Sequence, residues 1–442
     1  MLVSIHKQLL TTLLFFLVGV SVNAQVISLQ QCLDSAKAHN RMLQVARNNT
    51  LIGTEKHKEA TANLIPKITI NADYKYFFDL PTQLMPLSTF NPNAPVGQFK
   101  EAQFGVPHNI GANVQLTMPL YNPQIYGAIQ TTKVAQELSQ LQYQKSEEQV
   151  YVEISNLYYN AQIINKQLEF VDSNITNSER LLKNMKLLKV QQMAKGSDVG
   201  KIELQLAQLQ TQKLTANGKL LQLLNALKFN MGMDLSKQLE VDRNISLIQE
   251  TEYKTNNPID ITIANTQQKL ALTELQNSKR SRLPSLSLIG SYGTTGFGYD
   301  TKPNDFLKFF PVNFAGVQLS YPIFAGTVTL RKINQKKLEL KNSEIQKSIA
   351  TEQNNIQIQN ATIQKDIAKQ SISTTQLQIS QAQTIYNQVL LQQKQGLATL
   401  TDVLLADTAL REAQQNYVTA MVDYLKADLE LKKATGNILI NK

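Results

Sequence analysis

The chain has 442 residues, with 44 lysines and arginines against 34 aspartates and glutamates, no tryptophan and one cysteine. Its mean hydropathy is −0.24, and no run beyond residue 24 approaches the ~18 consecutive apolar residues of a membrane-spanning helix. One cysteine rules out an internal disulfide or a thiolate metal site. The net charge of +10 is spread as lysines along helical stretches, which reads as solvated helix faces rather than a nucleic-acid patch.

Residues 1–24 read as an export signal. Lys7 gives a positive start, Leu9 to Val20 is apolar, and Val22-Asn23-Ala24 fits a cleavage site. The mature chain is then expected to begin at Gln25. Cys32 lies too far beyond that cut to carry a lipid anchor and reads as a small buried residue. Proline placement divides the mature chain. All thirteen prolines fall within 66–123 or 258–322, and because proline costs ~3 kcal/mol inside a helix, only the remaining blocks can hold long helices.

The first mature helix is expected from Ser28 to about Asn63, opened by the capping-box spacing of Ser28 and Gln31. Two runs of alternating polar and apolar residues come next, at about 67–76 and 109–119, each the length of a tilted membrane strand. A helix of about 69 residues, or ~100 Å, is expected over 127–195. Val150, Ile154, Leu157, Ala161, Ile164, Leu168, Val171 and Ile175 mark its seam at alternating fours and threes. A break at Gly196-Ser197-Asp198 leads to a helix over 198–232, with Val199, Leu206, Leu220 and Leu227 on a seven-residue grid. The order then repeats: helix 258–283, strands at about 285–292 and 314–321, and a long helix 327–394 with Ile349, Ile356 and Ile363 at sevens. A break at Gln395-Gly396-Leu397 precedes a last helix over 401–436, with Val403, Leu410, Tyr417, Tyr424 and Leu431 at sevens. Offsets support a duplication into 25–240 and 241–442. Leu64–Ile70 lies over Arg282–Leu288, Val114–Pro119 over Val317–Pro322, and Asp198-Val199 over Asp402-Val403.

Four membrane-length strands leave two unpaired edges that lipid cannot satisfy, so the barrel must be closed by further copies. Two copies would give eight strands with a filled interior, and three would give twelve and a lumen. The alternation assigns Thr69, Asn71, Asp73, Asn113, Gln115, Thr117, Ser285, Ser287, Gln318 and Ser320 to the lumen, and so much polarity favours the trimer. Helices lead into and out of both strand pairs, which places them all on one side of the membrane and the strand-joining loops on the other. The first loop, about 77–107, carries Pro81, Pro86, Pro92 and Pro95. Tyr74, Tyr76, Phe77, Tyr121, Tyr292, Phe314 and Tyr321 suit aromatic girdles.

Across essentially the whole mature chain the sequence resembles the TolC family of outer-membrane efflux proteins. The residues that carry the resemblance are Ser28–Ala36 with Asn40, the strand entries Ile65–Ile70 and Leu283–Leu288, and Gly396 followed by Thr401-Asp402-Val403-Leu404. The resemblance implies a mainly α, mixed fold: a homotrimer with a twelve-stranded barrel in the outer membrane, and coiled-coil helices forming a periplasmic tunnel. Each long helix would lie beside two shorter ones stacked end to end. The implied partners are a periplasmic adaptor, or membrane fusion, protein and an inner-membrane efflux pump or ABC transporter, with no cofactor and no nucleic acid.

The chemistry-bearing residues point away from an enzyme. His39, His57 and His108 are the histidines after residue 24, none at metal-ligand spacing, and no phosphate-cradling glycine loop or nucleophile elbow is present. Interest falls instead on the two helix–helix breaks. Gly196 and Gly396 can take the left-handed conformation that ends a helix, and Asp198 and Asp402 can cap the next one or ring a narrow pore mouth. Lys195, Gly196, Ser197, Gln395, Gly396, Leu397 and Thr401 are the expected adaptor contacts at the hairpin tips. In the family the mouth is gated there, and Asp402 matches a gate carboxylate. Leu405, however, stands where a second one would be, and the basic partner expected near Ala398 is absent. A passive exit duct is the reading this supports. A barrel-anchored coiled-coil adhesin and a simple diffusion porin are the alternatives.

Overall fold

The computed structural model describes residues 25–245, 253–254, 256–298 and 308–438. The expected export signal and the tip of the second strand-joining loop fall outside them. In chain order the elements are β1 (Gln25–Ile27), α1 (Leu29–His39), α2 (Arg41–Ala62), β2 (Lys67–Tyr76), β3 (Thr82–Pro86), β4 (Phe99–Gln103), β5 (His108–Tyr121), α3 (Pro123–Val190) and α4 (Gly196–Asn230). They continue as β6 (Leu239–Val241), α5 (Ile259–Arg280), β7 (Ser285–Gly298), β8 (Lys308–Ser320), α6 (Val328–Lys394) and α7 (Leu400–Ala434). The chain divides into two compact units, and each draws segments from both halves of the sequence: 51–139 with 265–346, and 1–50 with 140–264 and 347–442.

The unit of 51–139 and 265–346 holds a four-stranded antiparallel sheet in the order β2-β5-β7-β8. β2 is exposed along all ten residues, and β8 along all but one of its thirteen. The second pair of strands is longer than expected, 285–298 and 308–320 instead of 285–292 and 314–321. The glycines that suggested turns there (Gly293, Gly296) stay in the ladder, where a Cβ at Gly293 would collide with the Ala112 carbonyl at 2.5 Å. The first loop is not irregular throughout. β3 and β4 pair antiparallel within it, from Thr82 opposite Gln103 to Pro86 opposite Phe99, and the proline sits at the strand end, where a ladder tolerates it.

The other unit is helical apart from a two-stranded parallel sheet of β1 and β6. One apolar cluster gathers Ile27, Cys32, Val150, Ile154, Leu227 and Met231, another gathers Leu181, Met185, Ile202, Val403 and Leu410, and a third gathers Ile163, Ile372, Met421 and Tyr424. Each fully buried Leu or Ile here stabilises the fold by roughly 1.5–3 kcal/mol.

The expected single helix over 28–63 is two. Asn40 leaves the helical region (φ −63°, ψ 124°), and its Oδ1 accepts from the Met42 and Leu43 amides at 2.8 and 3.1 Å. Its Nδ2 donates to the Asn230 carbonyl at 2.7 Å. An asparagine side chain that replaces the backbone partner ends one helix and starts the next. The long first helix begins at Pro123 instead of 127 and stops at Val190 instead of 195, because the chain turns left-handed at Gln192 (φ 61°).

Two expected seams differ from the packing. Beyond Val171 the buried stripe of α3 runs through Asn174, Ser178, Leu181 and Met185, while Ile164, Leu168 and Ile175 are half-buried. On α6, Ile349, Ile356 and Ile363 are exposed at 46, 57 and 57 %, and Asn354, Ala361 and Ala368 are buried instead. Small and polar residues fit the close helix contacts, and the isoleucines form a second stripe that this chain leaves uncovered.

Candidate functional site

The sheet register decides which strand residues share a face. Directly opposed residues point the same way, so Thr69, Gln115 and Ser291 line up across three strands, as do Asn71, Asn113 and Gly293. Asp73 opposes Gly111, Thr117 opposes Lys67, Ser287 opposes Gln318, and Ser285 opposes Ser320. All ten residues assigned to the lumen thus fall on one face. Asn113 Nδ2 donates to Ser291 Oγ at 3.3 Å, which adds Ser291, a residue the sequence reading missed although its alternation runs through 285, 287, 289 and 291. The face is not polar throughout, because Ile289, Phe310, Val312 and Phe314 belong to it. Phe314, assigned to a girdle, therefore sits on the polar side. The opposite face carries Ile68, Ile70, Val114, Leu116, Leu288, Val317 and Leu319, with Ile70 78 % and Leu319 67 % exposed. One sheet with open edges, and apolar side chains on a bare face, has no stable home in water.

The two helix–helix turns are built alike at an offset of 204. At the first, the Met193 amide donates to the Leu188 carbonyl (2.8 Å) and Gln192 to Lys189 (3.0 Å). At the second, Leu397 donates to Gln392 (2.9 Å) and Gly396 to Gln393 (3.1 Å). This paired pattern closes a helix with a left-handed residue, and that residue is Gln192 or Gly396 (φ 75°). The expected role of Gly196 is thereby corrected, since it is the first residue of α4. Lys195 and Thr399 are the N-caps, so Asp198 and Asp402 are not caps but third residues of their helices.

Asp402 instead completes a capping box. Its Oδ2 accepts from the Thr399 amide at 2.8 Å and hydroxyl at 2.6 Å, while Thr399 Oγ1 accepts from the Asp402 amide at 3.3 Å. The Thr399 hydroxyl and amide hold the Asp402 carboxyl below the usual range. Lys195 has no cap bond, and Asp198 lies 3.7 Å from Lys201. The position equivalent to Lys201 is Leu405, 74 % exposed, so the second turn has no lysine at that position. Ser197, Gln395 and Thr401 are exposed, as are Leu397 (76 %) and its counterpart Met193 (73 %). Leu187 and Leu391, also equivalent, are exposed at 56 and 58 %. The sequence reading missed Leu187 and Met193. They lie off the apolar grid, which was itself the available signal.

The histidines have structural partners: His39 with the Ser35 carbonyl, His57 with Thr132 Oγ1 and His108 with Tyr74 Oη, at 3.1, 3.2 and 2.7 Å. Among the described residues no cluster of His, Cys, Asp and Glu could hold a metal ion.

Residues 253–437 match the outer membrane efflux protein family. The outer membrane protein TolC of Salmonella enteritidis is 21% identical over 467 residues, covering 98% of this chain and 87% of the relative. Over almost its whole length the chain is similar to TolC, an outer membrane protein. The TolC of Escherichia coli K12 is 22% identical with the same coverage. Solved outer-membrane proteins share the fold. VceC of Vibrio cholerae superposes with a TM-score of 0.74 at 15% identity, over 92% of this chain and 96% of that one. The CmeC outer membrane channel of Campylobacter jejuni gives 0.74 at 16% identity, over 92% and 85%. The names of these relatives are those of outer membrane proteins, and the family model over 253–437 is that of an outer membrane efflux protein.

Proposed function

We propose that three copies of the chain close a twelve-stranded barrel through β2 and β8, and that their helices form a tunnel in the periplasm. The observation that carries this reading is the sheet: four strands of membrane length, open at both edges, polar on one face and apolar on the other. Lipid leaves no backbone group of an open edge satisfied, and twelve strands enclose a lumen where eight would be filled. The uncovered stripe of Ile349, Ile356 and Ile363 supports a further copy packing against α6. The duct is passive, driven by an inner-membrane pump or ABC transporter and opened by a periplasmic adaptor. The matching apolar pairs Leu187/Leu391 and Met193/Leu397, beside Lys195–Ser197 and Gln395–Leu397, suit the adaptor. Asp402, exposed and with Leu405 where the first turn has Lys201, suits a ring of three carboxylates at the mouth.

Purified protein in detergent is expected to be a trimer and to conduct in planar bilayers with a preference for cations. In Asp402→Asn the amide oxygen still accepts from Thr399, so the helix start survives while three charges vanish, and cation selectivity and block by multivalent cations should fall. A monomer that keeps its strand content would defeat the trimer. Unchanged selectivity would leave Asp402 as a capping-box partner only.

A further inference from the structure

The exit-duct reading leaves the lock at the mouth without its expected basic partner near Ala398. A basic residue does stand one face further along α7. Asp407 is 4 % exposed and Gln205, on α4, is 8 %. Gln205 Nε2 donates to Asp407 Oδ2, and Arg411 Nε lies 2.9 Å from that same oxygen. Two side chains thus converge on one carboxylate oxygen, the guanidinium as an ion pair without hydrogen-bond geometry, beside the apolar cluster of Ile202, Val403 and Leu410.

The duplication makes this contact informative. At the offset of 204, Asp407, Arg411 and Gln205 correspond to Glu203, Ala207 and Ala409. Glu203 is half-exposed and pairs outward with Lys186 at 2.8 Å. Ala207 and Ala409 offer neither a guanidinium nor an amide, and Ala409 is exposed. The fold therefore does not need a buried charge here, since its other half does without one. A buried ion pair adds little stability over an apolar contact of the same volume, and its best-attested use is to fix a register or a switch.

Next to the trio the packing is hollow. A cavity of about 470 Å³ lies between α3, α4 and α7, lined in part by Asn174, Arg411 and Gln414. Asn174 is 3 % exposed and donates to Gln414 Oε1 at 2.8 Å, yet its own Oδ1 has no partner. The space is open to solvent, and polar side chains such as Asn174, Thr211 and Gln414 line part of it, so water reaches it. Groups released from the trio would be hydrated at once, without passing through an apolar barrier.

We propose that Gln205, Asp407 and Arg411 form a clasp that positions α7 against α4 in the closed mouth and becomes hydrated when the mouth opens. Two packings of the same helices then differ in one local event, the wetting of a carboxylate, which is what a two-state element needs. This rests on the duct reading above.

The clasp predicts a pH dependence with a definite sign. Burial lifts the Asp407 carboxyl above its ordinary range, against the pull of Arg411 and Gln205, and in the hydrated state the carboxyl returns to ordinary behaviour. Protonation therefore favours the clasped state, and that preference is lost as pH rises through the raised value. Other groups pack around it or pair beside it. Tyr386 of α6 is pushed up to about 12 by burial, α3 contributes Leu181 and Met185, and Lys201 and Glu203 of α4 are turned to Asp198 and Lys186. Asp402, held low, titrates below it.

The test is planar-bilayer conductance of the purified wild type, Asp407→Asn and Arg411→Gln between pH 4 and 8. Hydrogen exchange of residues 400–414, corrected for intrinsic rates, is followed over the same range. Wild-type conductance should fall severalfold on acidification as those amides gain protection. Asp407→Asn, whose amide oxygen still accepts from Gln205 but cannot ionise, should be protected and poorly conducting throughout. Arg411→Gln removes the group that favours the carboxylate, so the midpoint should move to higher pH. Conduction without pH dependence, or a dependence retained in Asp407→Asn, overturns the clasp and leaves the duct standing. pH-dependent protection in a protein that conducts at no pH overturns the duct, and with it the role of the clasp in a mouth.

Discussion

Position 192 and position 396 do the same backbone work with different residues. A non-glycine in the left-handed region is strained, so Gln192→Gly should raise stability by about 1 kcal/mol, the strain less the entropy glycine loses on folding. Thr399→Ala removes the N-cap of α7 and should cost about 1 kcal/mol. Denaturant titration of the purified protein, followed by its helical signal, reads both. The sequence showed the breaks but not their registers. Gly196 looked like a stop because glycine usually is one, and only the paired bonds from Met193 and Gln192 reveal that the stop comes four residues earlier. Nothing in the sequence alone marks Gln192 as left-handed.

Among elements, helices and strands were legible wherever one physical requirement dominated. Proline-free blocks gave the long helices, and period two gave the strands and ten residues that share the polar face, though not Ser291. The features that stayed hidden depend on partners distant in sequence. Asn40 was visible as part of the family resemblance, but its splitting of the first helix depends on the Asn230 carbonyl, 190 residues away. Asn40→Ala removes a cap and orphans that buried carbonyl, so it should cost about 2–3 kcal/mol, measurable as a lowered unfolding midpoint with the trimer intact. The isoleucines of α6 were given to an internal seam because a heptad cannot say which neighbour it faces. The two faces of β2 provide a cleaner contrast. Ile70→Lys places a charge on the bare apolar face and should cost about 2–4 kcal/mol near the bilayer midplane. Asn71→Lys lies on the polar face and should fold into liposomes like the wild type. Equal folding yields for the two would mean that the faces are assigned the wrong way round.

For the whole molecule, the proposed place in the outer membrane leaves the direction of the helices to be tested, and the adhesin alternative differs from the duct in that alone. In the duct, the loop holding β3 and β4 faces outward and the turn at 195–200 lies in the periplasm. Ser88 and Ser197 are both exposed, so a cysteine at either site is reachable from its own side. Cys32 need not be removed first. It is fully buried, and burial pushes its thiol up to about 12, which leaves almost no thiolate to react at neutral pH. An impermeant thiol reagent added to intact cells should therefore label Ser88→Cys and spare both Ser197→Cys and the parent. Once the outer membrane is permeabilised, Ser197→Cys should label as well, which shows that its silence in intact cells comes from location and not from burial. Labelling of Ser197→Cys in intact cells would put the helices outside and make the protein a surface-displayed coiled coil. Labelling of neither site in intact cells, with both reactive after permeabilisation, would place the β3–β4 loop inside and overturn the orientation on which the duct depends.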